Sequence, residues 1–213
     1  MGSVRGERTF KFRGGVPCLD FVNTVAWRLT NRPVEYLGSY EDLLAWGRQA
    51  GLLASEETGI LSERATTDPE EARATLPRAI ALREAVHRIL SAAIVSGPPD
   101  EGALTVLNRE LSEALSRLRV VHTPEDAYAW AWDRGGDGRA LEPDCPLWPV
   151  ARSAADLLTS PKLGRVKVCA GEGCGWMFLD ESRNGSRRWC DSRDCGNRER
   201  VRKHLVRKRA SRS

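Results

Sequence analysis

The chain has 213 residues, 41% of them apolar and 29% charged, with a formal net charge of +4. These values fit an ordinary soluble globular protein of one domain plus a small appendage. No apolar run approaches the ~18 residues that a membrane helix needs, and the polar, basic first thirteen residues have no apolar stretch behind them, so the expected location is cytoplasmic.

In chain order, residues 9–12 alternate polar and apolar and run into Gly14-Gly15, which predicts a short strand and a turn. Leu19, Val22, Val25, Ala26 and Leu29 follow a helical period over residues 18–29, with Asp20, Asn23 and Thr24 set among them. A polar side chain near a core must find partners, so Asn23 either pins neighbouring backbone, the commoner case, or points into a pocket. Cys18 and Cys145 stand alone and read as small buried hydrophobes. Ser39, with Asp42 three residues on, predicts a capped helix to residue 49 that Gly51 stops. A second helix starts at Ser55. Asp68-Pro69-Glu70-Glu71 opens a third that runs to about residue 96, kinked or restarted at Pro77. Its Ile80, Val86, Ile89, Leu90 and Ile94 mark a core face, with His87 beside them.

Pro98-Pro99-Asp100 breaks the chain and caps the next helix, where Leu104, Leu107, Leu111, Leu115 and Leu118 predict one packed face. Residues 120–122 and 128–132 read as a β-hairpin. Tyr128, Trp130 and Trp132 alternate and so share one side of their strand. Core packing is the default for them, and a cavity wall is the alternative. Residues 133–149 read as an irregular loop, 150–159 as a short helix and 160–164 as a hinge. No G-x-S-x-G, P-loop, H-E-x-x-H or dinucleotide fingerprint occurs, so an enzyme is not expected.

The last fifty residues organise the rest. Four of the six cysteines form Cys169-x4-Cys174 and Cys190-x4-Cys195, with fifteen residues between the pairs. Two close pairs across a hairpin-length spacer match a structural four-cysteine zinc site. Gly171, Gly173 and Gly175 let the first knuckle fold tightly, and four thiolates leave no open position for catalysis. Strands at 165–169 and 176–179 are expected, then a turn at Asn184-Gly185, a return over 187–189, and a helix over 194–209 with a Val201–Leu205 apolar seam. That order is treble-clef-like. The fold class is therefore α+β: a mainly helical N-terminal domain with a small β contribution over residues 1–160, and a zinc module over 161–213.

Charge is segregated between the two. Residues 161–213 hold fifteen Lys and Arg against six Asp and Glu, net +9; the first 160 hold eighteen against twenty-three, net −5. Such a tail is the footprint of a polyanion binder. On the C-terminal helix Arg198, Arg202 and Arg209 make one stripe and Arg200, Lys203 and Arg207 another, with Arg187 and Arg188 just ahead of the second cysteine pair. A zinc-tied basic helix suits a DNA major groove or phosphate backbone. A solvated charged helix or a dimer contact is the plainer alternative.

Cys195-Gly196-Asn197-Arg198 resembles the signature of the CGNR zinc finger, and Gly14-Gly15-x-x-Cys18-Leu19-Asp20-Phe21-Val22-Asn23-Thr24 resembles the opening of the ABATE domain. The resemblance implies a bacterial stress-induced transcription regulator, with one zinc on Cys169, Cys174, Cys190 and Cys195, a finger that binds double-stranded DNA, and a nucleoid-associated location. It also implies an N-terminal domain that senses a small molecule, for which Asp20, Asn23, His87, Trp130 and Trp132 are the candidate pocket residues. A homodimer fits, because one short helix reads few base pairs. The rival functions are RNA binding, and an enzyme or small-molecule binder whose finger is only structural.

Overall fold

A computed structural model describes residues 8–134 and 141–210, and 52% of it is helix and 10% strand. Helix α1 (Pro17–Val22) ends well before the apolar period of residues 18–29 does. The Thr24 hydroxyl folds back to the Phe21 carbonyl (2.7 Å), and the chain enters β1 (Val25–Ala26), antiparallel to β2 (Val34–Glu35). The apolar spacing is served by a helix and then a strand: Leu19, Val22, Val25 and Ala26 are all buried, whereas Leu29 is exposed. No strand forms at residues 9–12. The Phe10 N–H donates to the Gln49 side-chain oxygen (3.0 Å) and the Gln49 amide donates to the Arg8 carbonyl (2.7 Å), so one side-chain amide stands in for a neighbouring strand.

Helix α2 (Tyr40–Gln49) begins as its sequence predicts, with the Ser39 hydroxyl accepting the Asp42 N–H at 3.1 Å, and Gly51 stands just past its end at φ +71°. Helix α3 (Ser55–Thr67) leads to α4 (Pro69–Ile94), which passes through Pro77 as one 26-residue helix. Ala72, Thr75, Ala79, Leu82 and Val86 form a buried face that continues across the proline, and that packing overrides the missing N–H. Helix α5 (Glu101–Ser116) is capped by the Asp100 carboxylate, which accepts the Ala103 N–H at 2.8 Å. Its buried face is Ala103, Leu107, Glu110 and Ala114, and Leu115 from the expected leucine face is exposed. The buried Glu110 carboxylate takes the Arg78 guanidinium of α4 at 2.8 Å, beside Leu104, Leu107 and Leu111, which pack on the core as expected.

Strands β3 (Leu118–His122) and β4 (Tyr128–Trp132) make the expected hairpin, with Val120 opposite Trp130. Core packing holds only at its base, where Trp132 meets Trp148 with ring centroids 6.1 Å apart. Trp130 is 61% exposed and Tyr128 78%, because the hairpin reaches beyond the helices that would cover it. Part of the expected loop at 133–149 lies outside the described residues; its later part tucks Leu141, Cys145 and Leu147 into the core before α6 (Trp148–Leu158).

Residues 160–164, expected as a hinge, form the start of a 3-10 turn (Pro161–Arg165) capped by the Ser160 hydroxyl. It feeds β5 (Val166–Val168), antiparallel to β6 (Met177–Leu179). Val166, Met177 and Leu179 are buried in the same core as the helices. Helix α7 (Cys195–Ala210) follows the second cysteine pair.

Candidate metal centre and basic face

Cys169 follows β5 and Cys174 precedes β6, so the first knuckle is the turn of that hairpin; Cys190 ends the next loop and Cys195 is the first residue of α7. All four are buried, and their sulfurs lie within 4.8 Å of one another. Zinc–sulfur bonds of about 2.3 Å in a tetrahedron place sulfurs about 3.8 Å apart. Cys174 and Cys190 are 3.8 Å apart and Cys190 and Cys195 3.6 Å, a spacing that fits the metal and is far too long for a disulfide. As bare thiols Cys169, Cys174 and Cys190 cannot all ionise. Hydrogen bonds from Cys174 and Cys190 hold Cys169 down as the thiolate, and the same contacts with Cys169 push Cys174 and Cys190 up. A divalent cation removes that conflict, and one structural zinc is the cofactor this donor set takes. Around the ligands, the Cys190 N–H donates to the Cys169 sulfur (3.2 Å) and the Arg198 guanidinium to the Cys195 sulfur (2.8 Å).

The N-terminal helices hold this centre from the other side. Asn23, 2% exposed, donates to the Met177 carbonyl and accepts the Met177 N–H, both at 2.8 Å, and so pins β6 as a peptide would. The Trp176 indole N–H donates to the Val25 carbonyl at 3.0 Å. Beyond β1, Trp27 takes φ +58°, an unfavourable conformation for a bulky residue, and its ring lies 4.4 Å beneath the Arg198 guanidinium. Gly173 (φ +71°) packs so closely on this loop that a Cβ there would come within 2.6 Å of Thr30 Cγ2. Behind Trp27, Arg28 anchors the loop on α4 through a two-pronged ion pair with Glu84, 2.8 and 2.9 Å. Burial alone raises Glu84, but Arg28 and Arg83 outweigh it and bring the carboxyl to about 2. Trp27 and Arg28 escape sequence reading because their significance lies in contacts across more than fifty residues.

The two stripes of α7 differ in what they touch. Arg198 is committed to Cys195, Trp27 and Asp194, and Arg202 pairs with Glu199 (2.7 Å) and Glu172 (3.6 Å). Arg200, Lys203, His204 and Arg207, spaced i, i+3, i+4 and i+7 on the other face, are exposed, and none makes an ion pair among the described residues. The side chain of Arg209 lies outside the described residues. Val201 and Leu205 are 51% and 52% exposed, so the expected apolar seam joins neither apolar cluster of the described residues. Arg187 spends its guanidinium on the Trp189, Cys190, Leu179 and Arg13 carbonyls and stacks 4.2 Å from Phe178. Arg188 stays exposed beside Trp189. The return segment 187–189 forms no strand; it gives one backbone bond to the knuckle, from the Ala170 N–H to the Arg188 carbonyl (2.9 Å). Asp180, fully buried and held low by Lys167 at 2.6 Å, organises the turn between the cysteine pairs, accepting from Ser182 and the Arg187 N–H.

The five candidate pocket residues do not meet. Asp20 accepts the Gly14 N–H (2.7 Å), Asn23 is used at Met177, and His87 sits half-buried near Arg28 and Glu84. Trp130 lies exposed under Arg152, 5.0 Å from its guanidinium. Trp132 borders a cleft of about 420 Å³ with Pro17, Pro149 and Arg152, which none of the other four lines. A larger cavity, about 530 Å³, opens between α3 and α4 around Arg64, Thr75, Arg78 and Asp144, residues that no sequence pattern marks.

No curated protein matches this chain. Residues 15–161 match the model of the ABATE family, described as "Putative stress-induced transcription regulator", and residues 165–208 match that of the CGNR zinc finger. With the greater part of its length covered by the first and its four-cysteine centre by the second, the chain belongs to the ABATE family and ends in a CGNR zinc finger.

Proposed function

We propose that the protein is a transcription regulator that binds double-stranded DNA through the outward face of α7, with zinc fixing the root of that helix. The carrying observation is the sorting of cations on one helix: Arg200, Lys203, His204 and Arg207 are exposed and free of ion pairs among the described residues, while Arg198 and Arg202 are tied by ion pairs to Asp194, Glu199 and Glu172. Cations left unneutralised on a rigid, metal-anchored rod suit a polyanion groove, whereas a merely solvated helix gains from pairing them at i, i+4. The net +9 of residues 161–213 supports the same partner. In this reading the N-terminal domain governs the finger by way of the residues 27–30 loop, which touches both the first knuckle and Arg198. The test is binding of the zinc-loaded chain to duplex DNA and to an RNA hairpin at equal salt, with Lys203→Ala/Arg207→Ala alongside. Preferential duplex binding, weakened several-fold in the double variant, is expected. Preferential RNA binding would move the function to the other nucleic acid.

A further inference from the structure

Beside Cys190 lies a cleft of about 450 Å³, bordered by Arg13, Arg187, Arg188, Trp189, Asp191 and Arg193. Four arginines and one aspartate line it. Asp191 pairs with Arg13 Nε at 2.9 Å, which leaves the remaining Arg13 donors unused by that bridge. Arg187 gives its donors to neutral carbonyls, and Asp20 feels its charge and that of Arg13 from behind the cleft. Arg188 and Arg193 are exposed and make no ion pair among the described residues. The Trp189 indole N–H is buried without a hydrogen-bond partner. The cleft is also continuous with the free face of α7, because Arg200 donates to the carbonyl of Ser192 on its rim at 3.4 Å.

Concentrating like charge in a concavity costs self-repulsion unless an anion occupies it. A single small anion would answer the charge, but the continuity with the Arg200–Arg207 face selects a repeating one. We infer that this cleft seats the phosphodiester backbone flanking the groove that α7 enters, through Arg188 and Arg193 with Arg13 completing it from the N-terminal domain. The inference rests on the DNA-binding reading above and extends it: the nucleic-acid surface is composite, with one of its cations supplied from outside the finger.

Backbone contacts are read by salt rather than by sequence. Each phosphate neutralised on B-DNA contributes about −0.9 to the slope of log K against log salt concentration. The experiment measures that slope for the zinc-loaded full chain on a 20-bp duplex of arbitrary sequence, then for Arg188→Ala/Arg193→Ala and for Arg13→Ala, with zinc content checked in each. The double variant should lose about 1.8 from the slope's magnitude and Arg13→Ala about 0.9, with zinc retained. An unchanged slope in the double variant, while Lys203→Ala/Arg207→Ala does lower it, overturns the cleft and leaves the helix reading standing. The same loss of slope on an RNA hairpin but not on the duplex overturns the duplex assignment. No binding of the wild-type chain to either overturns the reading and the cleft together.

Discussion

At the scale of single residues, one polar side chain inside the apolar run, Asn23, ties the two halves of the molecule together. Asn23 makes both hydrogen bonds that Met177 can offer, and a buried group left without its partner costs about 1–3 kcal/mol. Asn23→Ala should therefore destabilise the zinc-loaded chain by about 2–6 kcal/mol in denaturant unfolding, the sum of two such losses. A change under about 1 kcal/mol would mean that water replaces the amide. His87 behaves differently. Burial and then the Arg28 charge push it down to about 4 from its ordinary 6.5, so it is neutral in the fold while the unfolded chain takes up a proton between those values. Stability should be flat in this group above pH 6.5 and fall as pH drops from 6.5 towards 4, by at most about 1.4 kcal/mol per unit. His87→Gln, compared with the parent at pH 5 and pH 7.5 in saturating zinc, should remove that part of the slope. Asn23 was visible in the sequence as a polar residue needing a partner. The identity of that partner, 154 positions away, was not, because nothing local to Asn23 encodes it.

At the scale of elements, α7 carries two separable tasks. Its inward face belongs to the metal: Arg198 donates to a ligand sulfur and stacks on Trp27. Removing a group that orients a metal ligand commonly costs 10–100-fold in metal affinity. Arg198→Ala should accordingly weaken zinc binding at least about 10-fold in chelator competition, and Arg207→Ala should leave zinc affinity unchanged while weakening DNA. Equal effects of the two variants on zinc would deny that the faces differ. The Ser39 and Asp100 caps, the hairpin of β3 and β4 and the cysteine pairs were legible, because each is written within a few residues: Ser39 to Asp42, Asp100 to Ala103, Cys190 to Cys195, whereas Asp68 ahead of α4 makes no side-chain cap. What was not legible was which of two equally basic stripes points inward. That depends on Trp27 and Glu172, neither of them on the helix. The leucine spacing of α5 held at Leu104, Leu107 and Leu111, which pack on the core, and failed at Leu115, while the buried Glu110 paired with Arg78 shares the inward face.

At the scale of the whole molecule, the finger is built into the helical domain rather than tethered to it. Val166, Met177 and Leu179 join the main core, and Ala26 and Tyr36 of the N-terminal part pack beside the four cysteines. Residues 161–213 on their own lose Asn23, Val25 and Trp27 as partners, and should bind zinc more weakly than the full chain and show less ordered amide protection around β5 and β6. Equal zinc affinity and protection in the fragment would show that the joint contributes nothing. The central claim is that zinc-ordered α7 meets DNA through its backbone charge. It is tested most directly by duplex-DNA binding of the intact chain across a salt series, beside Cys190→Ser/Cys195→Ser. The account predicts a log–log slope steeper than about −3, from four or more phosphate contacts, lost in the cysteine variant. Binding that is independent of salt, or absent from a chain shown to hold zinc, would contradict it.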